Sequence, residues 1–542
     1  MQVPVLVAGG GPVGLSVAYD LQKRGIQCLL VERNPTTTRH PKMDVTNGRC
    51  MEHFRRLGLS EKIRDAAVPR SHSWDVSWVT GLGANDHELA RFDYPTVFEA
   101  QDQIRAKNDG TQPLEPYMRM SQIVLEPLLK GWLDESPLID LRFGWEFVEC
   151  RQDADKVYST IREVATGRTE EVISDLLAGC DGGASRVRES LGIQLGGRFG
   201  VAEVFMVHFR STALDVLQRF GVAWHYQTPR GATLIAQDDD QFWTLHTIFE
   251  SREAMEGVDP RQLVFDELGA EFELEILQAN RWTPHLCVAD HYGRGRVWLA
   301  GDSAHQYIPT GGYGMNTGVP DGLNLSWKFA AFLKGWGGQE LLNSIDVERR
   351  QIGVRNRQAA MTNMQIRLDI IEANKANNGA CYLAGPAGDK ARAEMGRLVQ
   401  DLGNIENEAL GIEVDDRYVA SSVVCQEIVE PTWAMAEYTP STWPGMRAPH
   451  VYLADGSAIF DRFSYEGFTL VRFTEVDASP LLEAARAAGV PVELLDIRDA
   501  NAHGIYECHL VLVRPDQHVA WRGDTIALDP ASIISRIRGV YP

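Results

Sequence analysis

Several common features are missing from this 542-residue chain. It has no run of about 18 apolar residues, so we expect no membrane-spanning helix. Its first residues lack the basic region of a secretion signal and favour a strand. The eight cysteines are scattered, with neither a Cys-x-x-Cys pair nor the spacing of a zinc site. We therefore expect a cytoplasmic protein with reduced thiols and no bound metal.

Positive charge is also scarce. Lys and Arg number 53 while Asp and Glu number 74, so the net charge is −21. Nucleic acids and anionic membranes both need a basic surface, so this balance argues against either partner. It also favours an uncharged or weakly acidic ligand over a strongly anionic one. The length predicts about two to four domains, with enough chain for a buried core.

The pattern at the start of the chain is typical of a βαβ unit. Apolar runs predict strands over residues 3–8 and 27–32, with a helix between them. Residues 9–14 join the first strand to the helix and have the sequence GGGPVG, which fits the GxGxxG fingerprint of dinucleotide-binding proteins. The N–H groups and dipole of a helix N-terminus favour an anion, so a diphosphate would bind at this turn.

The fingerprint gives individual residues a role. Gly9 would permit the tight turn, Gly11 would let a pyrophosphate approach the backbone, and Gly14 would let the helix pack on the strand. Glu32 follows Gly14 by 18 residues, where it can accept from ribose hydroxyls. We expect the adjacent Arg33 to belong to the same site. The fingerprint does not separate FAD from NAD.

Two further motifs follow predicted strands. The sequence CDGGASRVR occupies residues 180–188, after a strand ending near residue 178. The sequence GDSAH occupies residues 301–305, after a short strand over 297–300. Each motif places an aspartate, Asp181 or Asp302, at a strand end, where a carboxylate can face a chain of sugar-like hydroxyls.

The rest of the chain suggests further units. Two-residue alternation over 141–180 predicts a three-stranded meander, whereas residues 73–117 look irregular. Strand-like runs between residues 200 and 285 suggest a sheet-based domain inserted in the first. Long helices are expected over 316–333 and 339–371. After a connector, residues 445–542 have a mixed strand and helix pattern.

These motifs make the chain similar to the class A FAD-dependent aromatic hydroxylases, whose core is that of para-hydroxybenzoate hydroxylase. The closer resemblance is to the phenol, pentachlorophenol and polyketide hydroxylases, which add a C-terminal thioredoxin-like domain. The likeness covers essentially the whole chain. It rests on GxGxxG at 9–14, DGxxSxxR at 181–188, GD at 301–302, PTGGYGMNTG at 309–318 and the tail segment GMRAPH at 445–450.

The resemblance implies an α/β architecture with a Rossmann-like FAD-binding domain, an inserted β-sheet domain for substrate and a C-terminal thioredoxin-like domain. The last domain lacks Cys-x-x-Cys, so we expect it to serve structure or oligomerisation and the protein to be a monomer or homodimer. The expected boundaries are 1–75, 116–195 and 285–360 for FAD binding, 76–115 and 196–284 for substrate, 361–444 for a helical connector and 445–542 for the last domain.

The resemblance also implies cofactor contacts. Asp302 would hold the ribityl chain of FAD, and Asp181 would lie near the pyrophosphate and the approach of NAD(P)H. Gln122 and Arg49 would reach the phosphates or the ribityl chain. Lys42 stands where many members have arginine, and its single charge lacks the bidentate fork. The backbone N–H groups of three consecutive residues would face the flavin pyrimidine edge: Gly314, Met315 and Asn316.

The implied reaction is a monooxygenation. NADPH or NADH reduces FAD, molecular oxygen gives a flavin C4a-hydroperoxide, and a small phenolic substrate takes a hydroxyl ortho or para to its own. No metal is required. Pro309 would lie beside the substrate, and Tyr313 and His246 are further candidates for a catalytic role. Trp224 and Tyr226 are candidates for the substrate pocket, although core packing explains such aromatic residues equally well.

Other functions stay open at this stage. A Baeyer–Villiger or epoxidising monooxygenase would use the same fold and the same flavin chemistry. A non-catalytic FAD-binding protein is the alternative from a different class. The sequence identifies neither the phenol, the preferred nicotinamide nor the general base.

Overall fold

The computed structural model describes residues 1–527 and 529–541. Its elements from the N-terminus to residue 190 are β1 (Gln2–Ala8), α1 (Pro12–Lys23), β2 (Cys28–Glu32), β3 (Val45–Thr46), α2 (Gly48–Leu57), α3 (Ser60–Ala66), β4 (Val76–Val79), β5 (Glu88–Phe92), α4 (Val97–Lys107), β6 (Met118–Arg119), α5 (Gln122–Asp134), β7 (Ile139–Phe143), β8 (Trp145–Gln152), β9 (Val157–Glu163), β10 (Thr169–Gly179) and α6 (Arg186–Ser190).

The middle of the chain alternates between strands and helices and ends in two long helices. These elements are β11 (Leu195–Arg198), β12 (Glu203–Arg210), α7 (Leu214–Leu217), β13 (His225–Gln227), β14 (Ala232–Ala236), β15 (Phe242–Phe249), α8 (Pro260–Leu268), β16 (Glu275–Trp282), β17 (Leu286–Ala289), β18 (Gly293–Arg294), β19 (Val297–Leu299), β20 (His305–Gln306), α9 (Tyr313–Leu333) and α10 (Gln339–Ala376).

The last part of the chain contains two helices and then a small mixed unit. Its elements are α11 (Pro386–Leu402), α12 (Leu410–Val414), β21 (Phe468–Arg472), α13 (Ser479–Ala487), β22 (Val492–Asp496), α14 (Ala500–Tyr506), β23 (Leu510–Val513), β24 (Val519–Gly523) and α15 (Pro530–Ile537). None of the helices in the described part of the chain has both the length and the apolar character needed to cross a membrane.

The largest sheet has eight strands, and its main order is β18-β19-β10-β1-β2-β7. Strands β19, β10, β1, β2 and β7 run parallel. Val5, Leu6 and Val7 of β1 are fully buried, as expected for a parallel strand covered on both faces. Helix α1 packs on the sheet and against α9. The expected βαβ unit is therefore present, and the expected meander is formed by β8, β9 and β10.

The strand ends explain how three distant motifs come together. Ala8 of β1 pairs with Gly179 of β10, and Gly179 pairs with Leu299 of β19. Because these strands are parallel, their carboxyl ends lie side by side. Ligands of open α/β sheets bind at this edge. The three motifs predicted from the sequence leave the sheet there.

A second sheet of seven strands has the order β16-β12-β15-β14-β13-β4-β5. Residues 73–117, expected to be irregular, supply β4 and β5 to this sheet and also form α4. The sequence pattern missed β4 and β5 because β4 is buried throughout and shows no alternation. Helix α4 begins with a capping box between Thr96 and Glu99, which satisfies its first N–H groups.

The two faces of this second sheet have different environments. Alternate residues of its central strands form a core with α8; Val207, Leu234 and Leu245 belong to it. The residues between them, such as Thr233 and His246, face a cavity on the other side. Side chains of a strand alternate between its faces, so the parity of each residue decides which environment it meets.

The C-terminal unit has a four-stranded sheet with the order β22-β21-β23-β24. Strand β21 is parallel to β22 and antiparallel to β23. Apolar clusters cover both faces of this sheet. The arrangement is consistent with a thioredoxin-like domain. Helix α14, which the sequence pattern did not predict, packs in one of these clusters through Ala502 and Tyr506.

Candidate cofactor site and active site

The glycine turn after β1 has the geometry that a dinucleotide requires. Gly9 has φ +107°, and a Cβ there would lie 2.1 Å from the carbonyl oxygen of Cys180. A Cβ on Gly14 would lie 2.0 Å from the carbonyl oxygen of Gly9. At Gly11, the N-cap of α1, the nearest atom to such a Cβ is 4.0 Å away. Two glycines are thus required by close packing, while Gly11 faces open space that a diphosphate can enter.

Glu32 lies beside this turn, at the end of β2. Its Oε2 accepts from the backbone N–H of Gly10 at 2.8 Å, and its Oε1 accepts from that of Asn34 at 2.8 Å. These bonds hold the carboxylate next to the glycine turn, where ribose hydroxyls can donate to it. Arg33 is exposed next to it.

Asp302 follows β19 and faces the same cleft. Its side chain reaches the surface, but the protein around it removes part of its hydration and so raises its pKa. The nearby His305 and Lys42 oppose that rise. Lys42 is itself exposed and acts in the same way on Glu126, whose pKa burial also raises. The cleft therefore contains Asp302, whose carboxylate can accept from hydroxyl groups, and Lys42, which can bind a phosphate.

The start of α9 forms a further wall. Gly312 precedes the helix with φ +64°. Asn316 accepts from the N–H of Asn47 at 3.0 Å through Oδ1, and its Nδ2 donates to the carbonyl of Gly312 at 2.8 Å. Gly314 and Met315 are half-buried in this first turn. N–H groups in a first turn have no partner within their helix, so they can face the flavin edge.

Three residues predicted for the cofactor have partners within the protein. Asp181 accepts from the N–H groups of Arg186 at 2.8 Å and Val187 at 3.1 Å, so it caps α6. Gln122 donates through Nε2 to Glu126 at 2.6 Å, close to Gly11. Arg49 is fully buried, and its guanidinium donates to the C-terminal unit, as described below.

A cavity of about 850 Å³, counted to its open mouth, separates the second sheet from α10 and from the loop before α9. Trp224, His246 and Ile248 line it from the sheet, and Pro309 lines it from the loop before α9. The structure therefore brings together Pro309, His246 and Trp224, which the sequence singled out. Burial lowers the pKa of His246 to about 4, so this imidazole is neutral near pH 7.

Two other candidates lie elsewhere. Tyr226 has the opposite parity to its neighbours in β13, so it packs in the core shared with α8, and its hydroxyl donates to the carbonyl of Gly221 at 2.6 Å. Tyr313 lines a separate, small polar space, and its hydroxyl accepts from Asn363 Nδ2 at 3.2 Å. Burial raises the pKa of Tyr313 to about 12. Neither tyrosine lines the large cavity.

Asp44 is a cavity residue that the sequence analysis did not single out. Its Oδ2 accepts from Trp224 Nε1 at 2.7 Å and lies 3.4 Å from His225 Nε2. Burial would raise the pKa of Asp44, but the hydrogen bonds from His225 and Trp224 and nearby positive charge lower it. Asp44 is therefore ionised at neutral pH. A single acid between Met43 and Val45 carries no signal of such a role.

The cavity also contains an ion pair that the sequence did not reveal. Arg367 of α10 donates to Glu406 through Nε at 3.1 Å and Nη2 at 2.7 Å, and through Nη1 to Thr233 at 2.9 Å. Of the described residues that line the cavity, Arg367 is the one Lys or Arg. Because Glu406 neutralises it, the cavity offers no unpaired cation to a substrate carboxylate.

Comparison with known proteins agrees with this geometry. The FAD binding domain model matches residues 2–360, and the model described as aromatic-ring hydroxylase, C-terminal, matches residues 441–538. The chain is 36% identical to FAD-dependent monooxygenase apdD of Emericella nidulans, over 96% of this chain and 88% of that one. It is 27% identical to phenol 2-monooxygenase of Pseudomonas sp. (strain EST1001), over 98% and 92%.

Solved structures give the same result. The rebeccamycin biosynthetic enzyme RebC with reduced flavin matches with a TM-score of 0.89 and 32% identity, covering 100% of this chain and 99% of that one. The flavin-dependent monooxygenase PieE, solved with FAD and substrate, matches with a TM-score of 0.87 and 28% identity, covering 99% of both chains. The α/β fold and the FAD cofactor expected from the sequence are thereby confirmed. The chain belongs to the FAD-dependent aromatic-ring hydroxylases and is an FAD-dependent monooxygenase.

Proposed function

We propose that this monooxygenase hydroxylates a phenolic substrate of more than one ring, and that Asp44 receives the proton of the substrate hydroxyl. The observation that carries the proposal is the position of Asp44 in the cavity wall. Trp224 fixes Oδ2, which leaves Oδ1 for a hydroxyl of the substrate. An ionised carboxylate at this point accepts a hydrogen bond from the substrate hydroxyl and can take its proton as the ring forms its new carbon–oxygen bond, which makes the ring more nucleophilic.

The extent and lining of the cavity support a substrate larger than phenol. The lining includes residues of five neighbouring strands of the second sheet, from Trp282 of β16 to His225 of β13, and neighbouring strands lie about 4.8 Å apart. Apolar groups of Ile235, Ile248 and Trp282 line much of it. The ion pair of Arg367 with Glu406 leaves no net positive charge, which favours a neutral or weakly acidic molecule over a carboxylate. Two relatives carry the name polyketide hydroxylase, in agreement with this extent.

The cofactor and the chain have separate tasks. When bound, FAD supplies the activation of molecular oxygen, with electrons from NADH or NADPH. The groups that would hold FAD are Gly11, Glu32, Lys42, Asp302 and the first turn of α9. The second sheet positions the aromatic ring beside Pro309 and excludes water, and Asp44 holds the proton. Exclusion of water matters because it prevents loss of oxidising equivalents.

The test is a stopped-flow screen of phenols with one to four rings, following reduction of bound FAD by NADH and NADPH, with NMR of the product. We expect a multi-ring phenol to accelerate reduction and to gain a ring hydroxyl. An ester or epoxide product would overturn the proposed hydroxylation.

A pair of variants tests the role of Asp44. Asp44→Asn should lower the rate of hydroxylation by about 10²–10⁴-fold, the usual contribution of a positioned base. Asp215→Asn removes an exposed carboxylate on α7 of the same sheet unit and should leave the rate unchanged. Equal rates in both variants would exclude Asp44 as the proton acceptor.

A further inference from the structure

A turn of the C-terminal unit contacts the first turn of α2. The carbonyl of Asp516 accepts from Arg49 Nη2 at 2.9 Å, and Oε1 of Gln517 accepts from Arg49 Nη1 at 2.6 Å. Arg49 is 1% exposed and Gln517 is 2% exposed. The contact joins two buried residues 468 positions apart, and a hydrogen bond to a charged group is strong.

Arg49 also borders the first turn of α9. It lines the small polar space that Tyr313 and Asn316 line from that turn. The segment 45–49 is tied to α9 directly, because Asn316 accepts from the N–H of Asn47 and donates to the carbonyl of Val45 at 3.2 Å. A shift of Arg49 would therefore move the segment that faces the start of α9.

The turn at Gln517 is itself fixed against α9. Asp516 Oδ2 accepts from Asn324 Nδ2 at 3.2 Å, Trp327 Nε1 at 3.2 Å and Arg514 Nη2 at 2.7 Å. Arg514 also donates to Glu348 of α10 at 2.6 Å. The C-terminal turn thus contacts two elements at once, the side of α9 and the first turn of α2.

The backbone conformation of Gln517 indicates that this position requires a glutamine side chain. Its φ is +67°, in the left-handed region that side chains other than glycine seldom adopt. Glycine would form the turn at lower cost. Strained conformations persist where the surroundings require them, and they concentrate at functional positions. Here the side-chain amide is the group that glycine could not supply, and its contact is Arg49.

We propose that Gln517 is a positioning residue for the cofactor site: through Arg49 it holds residues 45–49 against the first turn of α9, and so completes the FAD site from the C-terminal unit. This unit, which lacks Cys-x-x-Cys, would then serve cofactor binding as well as structure. Arg49, expected from the sequence to touch FAD itself, would act through its backbone neighbours instead.

The test uses the full-length protein with FAD removed and added back. Gln517→Gly removes the amide and also relieves the left-handed backbone, so the fold is not penalised by conformation. We expect the dissociation constant of FAD to rise about tenfold, as for loss of a charge-assisted hydrogen bond. The visible spectrum and midpoint potential of bound FAD should shift, while the melting temperature of the FAD-free protein stays within a few degrees.

Glu507→Gly is the matched control. Glu507 has the same φ of +67° in the same unit, and its carboxylate bonds to Arg522 and Ser441, away from Arg49. It should leave FAD affinity, spectrum and potential as in the parent protein. Equal changes in both variants, or no change in Gln517→Gly, would overturn the proposal.

A double-mutant cycle gives an independent readout. Arg49→Lys keeps the charge but loses the bidentate fork, so it should raise the FAD dissociation constant to a similar extent. If Gln517 acts through Arg49, the double variant should have the same dissociation constant for FAD as the single variant with the larger loss of affinity. Multiplication of the two effects would show that Gln517 and Arg49 act separately, contrary to the proposal.

Discussion

The indole Nε1 of Trp224 donates to Asp44 Oδ2 at 2.7 Å, across 180 residues of chain. The ring of Trp224 also stacks on His225, with centroids 3.7 Å apart. One aromatic residue thus orients both the carboxylate and the imidazole of the cavity wall. The hydrogen bond stabilises the ionised form of Asp44, so it affects the pH at which this group can accept a proton.

Replacement of Trp224 should move that pH. Trp224→Phe keeps an aromatic ring but removes the N–H, so the pKa of Asp44 should rise. We expect the acidic limb of the kcat/KM profile to move up by about one pH unit, the equivalent of one such hydrogen bond. Steady-state hydroxylation from about pH 3 upward measures it, because the lowered pKa of Asp44 places the limb of the parent enzyme below 3.8. An unmoved acidic limb would show that Asp44 does not control the rate.

The glycine turn predicts a loss of cofactor. Gly9→Ala places a Cβ 2.1 Å from the carbonyl oxygen of Cys180 at φ +107°. We expect purified protein without flavin and a free energy of unfolding lower by about 2 kcal/mol or more. Gly167→Ala is the control, since φ is +75° there but no atom lies within 4 Å of the added Cβ. It should cost about 1 kcal/mol and leave the flavin content normal.

The ion pair in the cavity predicts a change of substrate preference. Glu406→Gln would leave the charge of Arg367 without its counter-ion. We expect hydroxybenzoates to bind about tenfold more tightly than to the parent enzyme, as measured by perturbation of the flavin spectrum. Binding of uncharged phenols should change little. If both ligand classes gain equally, the charge of Arg367 does not set the preference.

Buried histidine predicts acid sensitivity of the fold. His450 is 3% exposed, neither ring nitrogen has a hydrogen-bond partner among the residues described, and burial lowers its pKa to about 3. An unfolded histidine titrates near 6.5, so below that pH the unfolded chain binds a proton that the folded chain does not, and stability falls. At pH 5 the loss is about 2 kcal/mol. In His450→Phe, the free energy of unfolding measured with urea should fall less between pH 7.5 and 5 than in the parent protein.

The motifs that sequence analysis recognised are those whose chemistry is local. The turn 9–14 and the acid Asp302 follow strands directly, and parallel strand ends meet at one edge of a sheet. Asp44 and Arg367 gave no such signal, because their partners lie 180 and 39 residues away in the sequence. Tyr226 shows a different limit: both faces of β13 are buried, so composition could not decide which side faced the cavity.

The contact between Arg49 and Gln517 also bears on biosynthesis. Strand β1 can pair with β2 early, but its second parallel neighbour, β10, is complete only after residue 179 has been made. Arg49 and Glu52 meet Gln517 and Arg447 much later still. Until then, these two side chains, which pair with each other, lack their partners in the C-terminal unit. At about 5–20 residues per second, translation of a chain of this length takes on the order of a minute. Cofactor loading should therefore follow release from the ribosome, and shortened chains ending before residue 514 should accumulate as flavin-free protein.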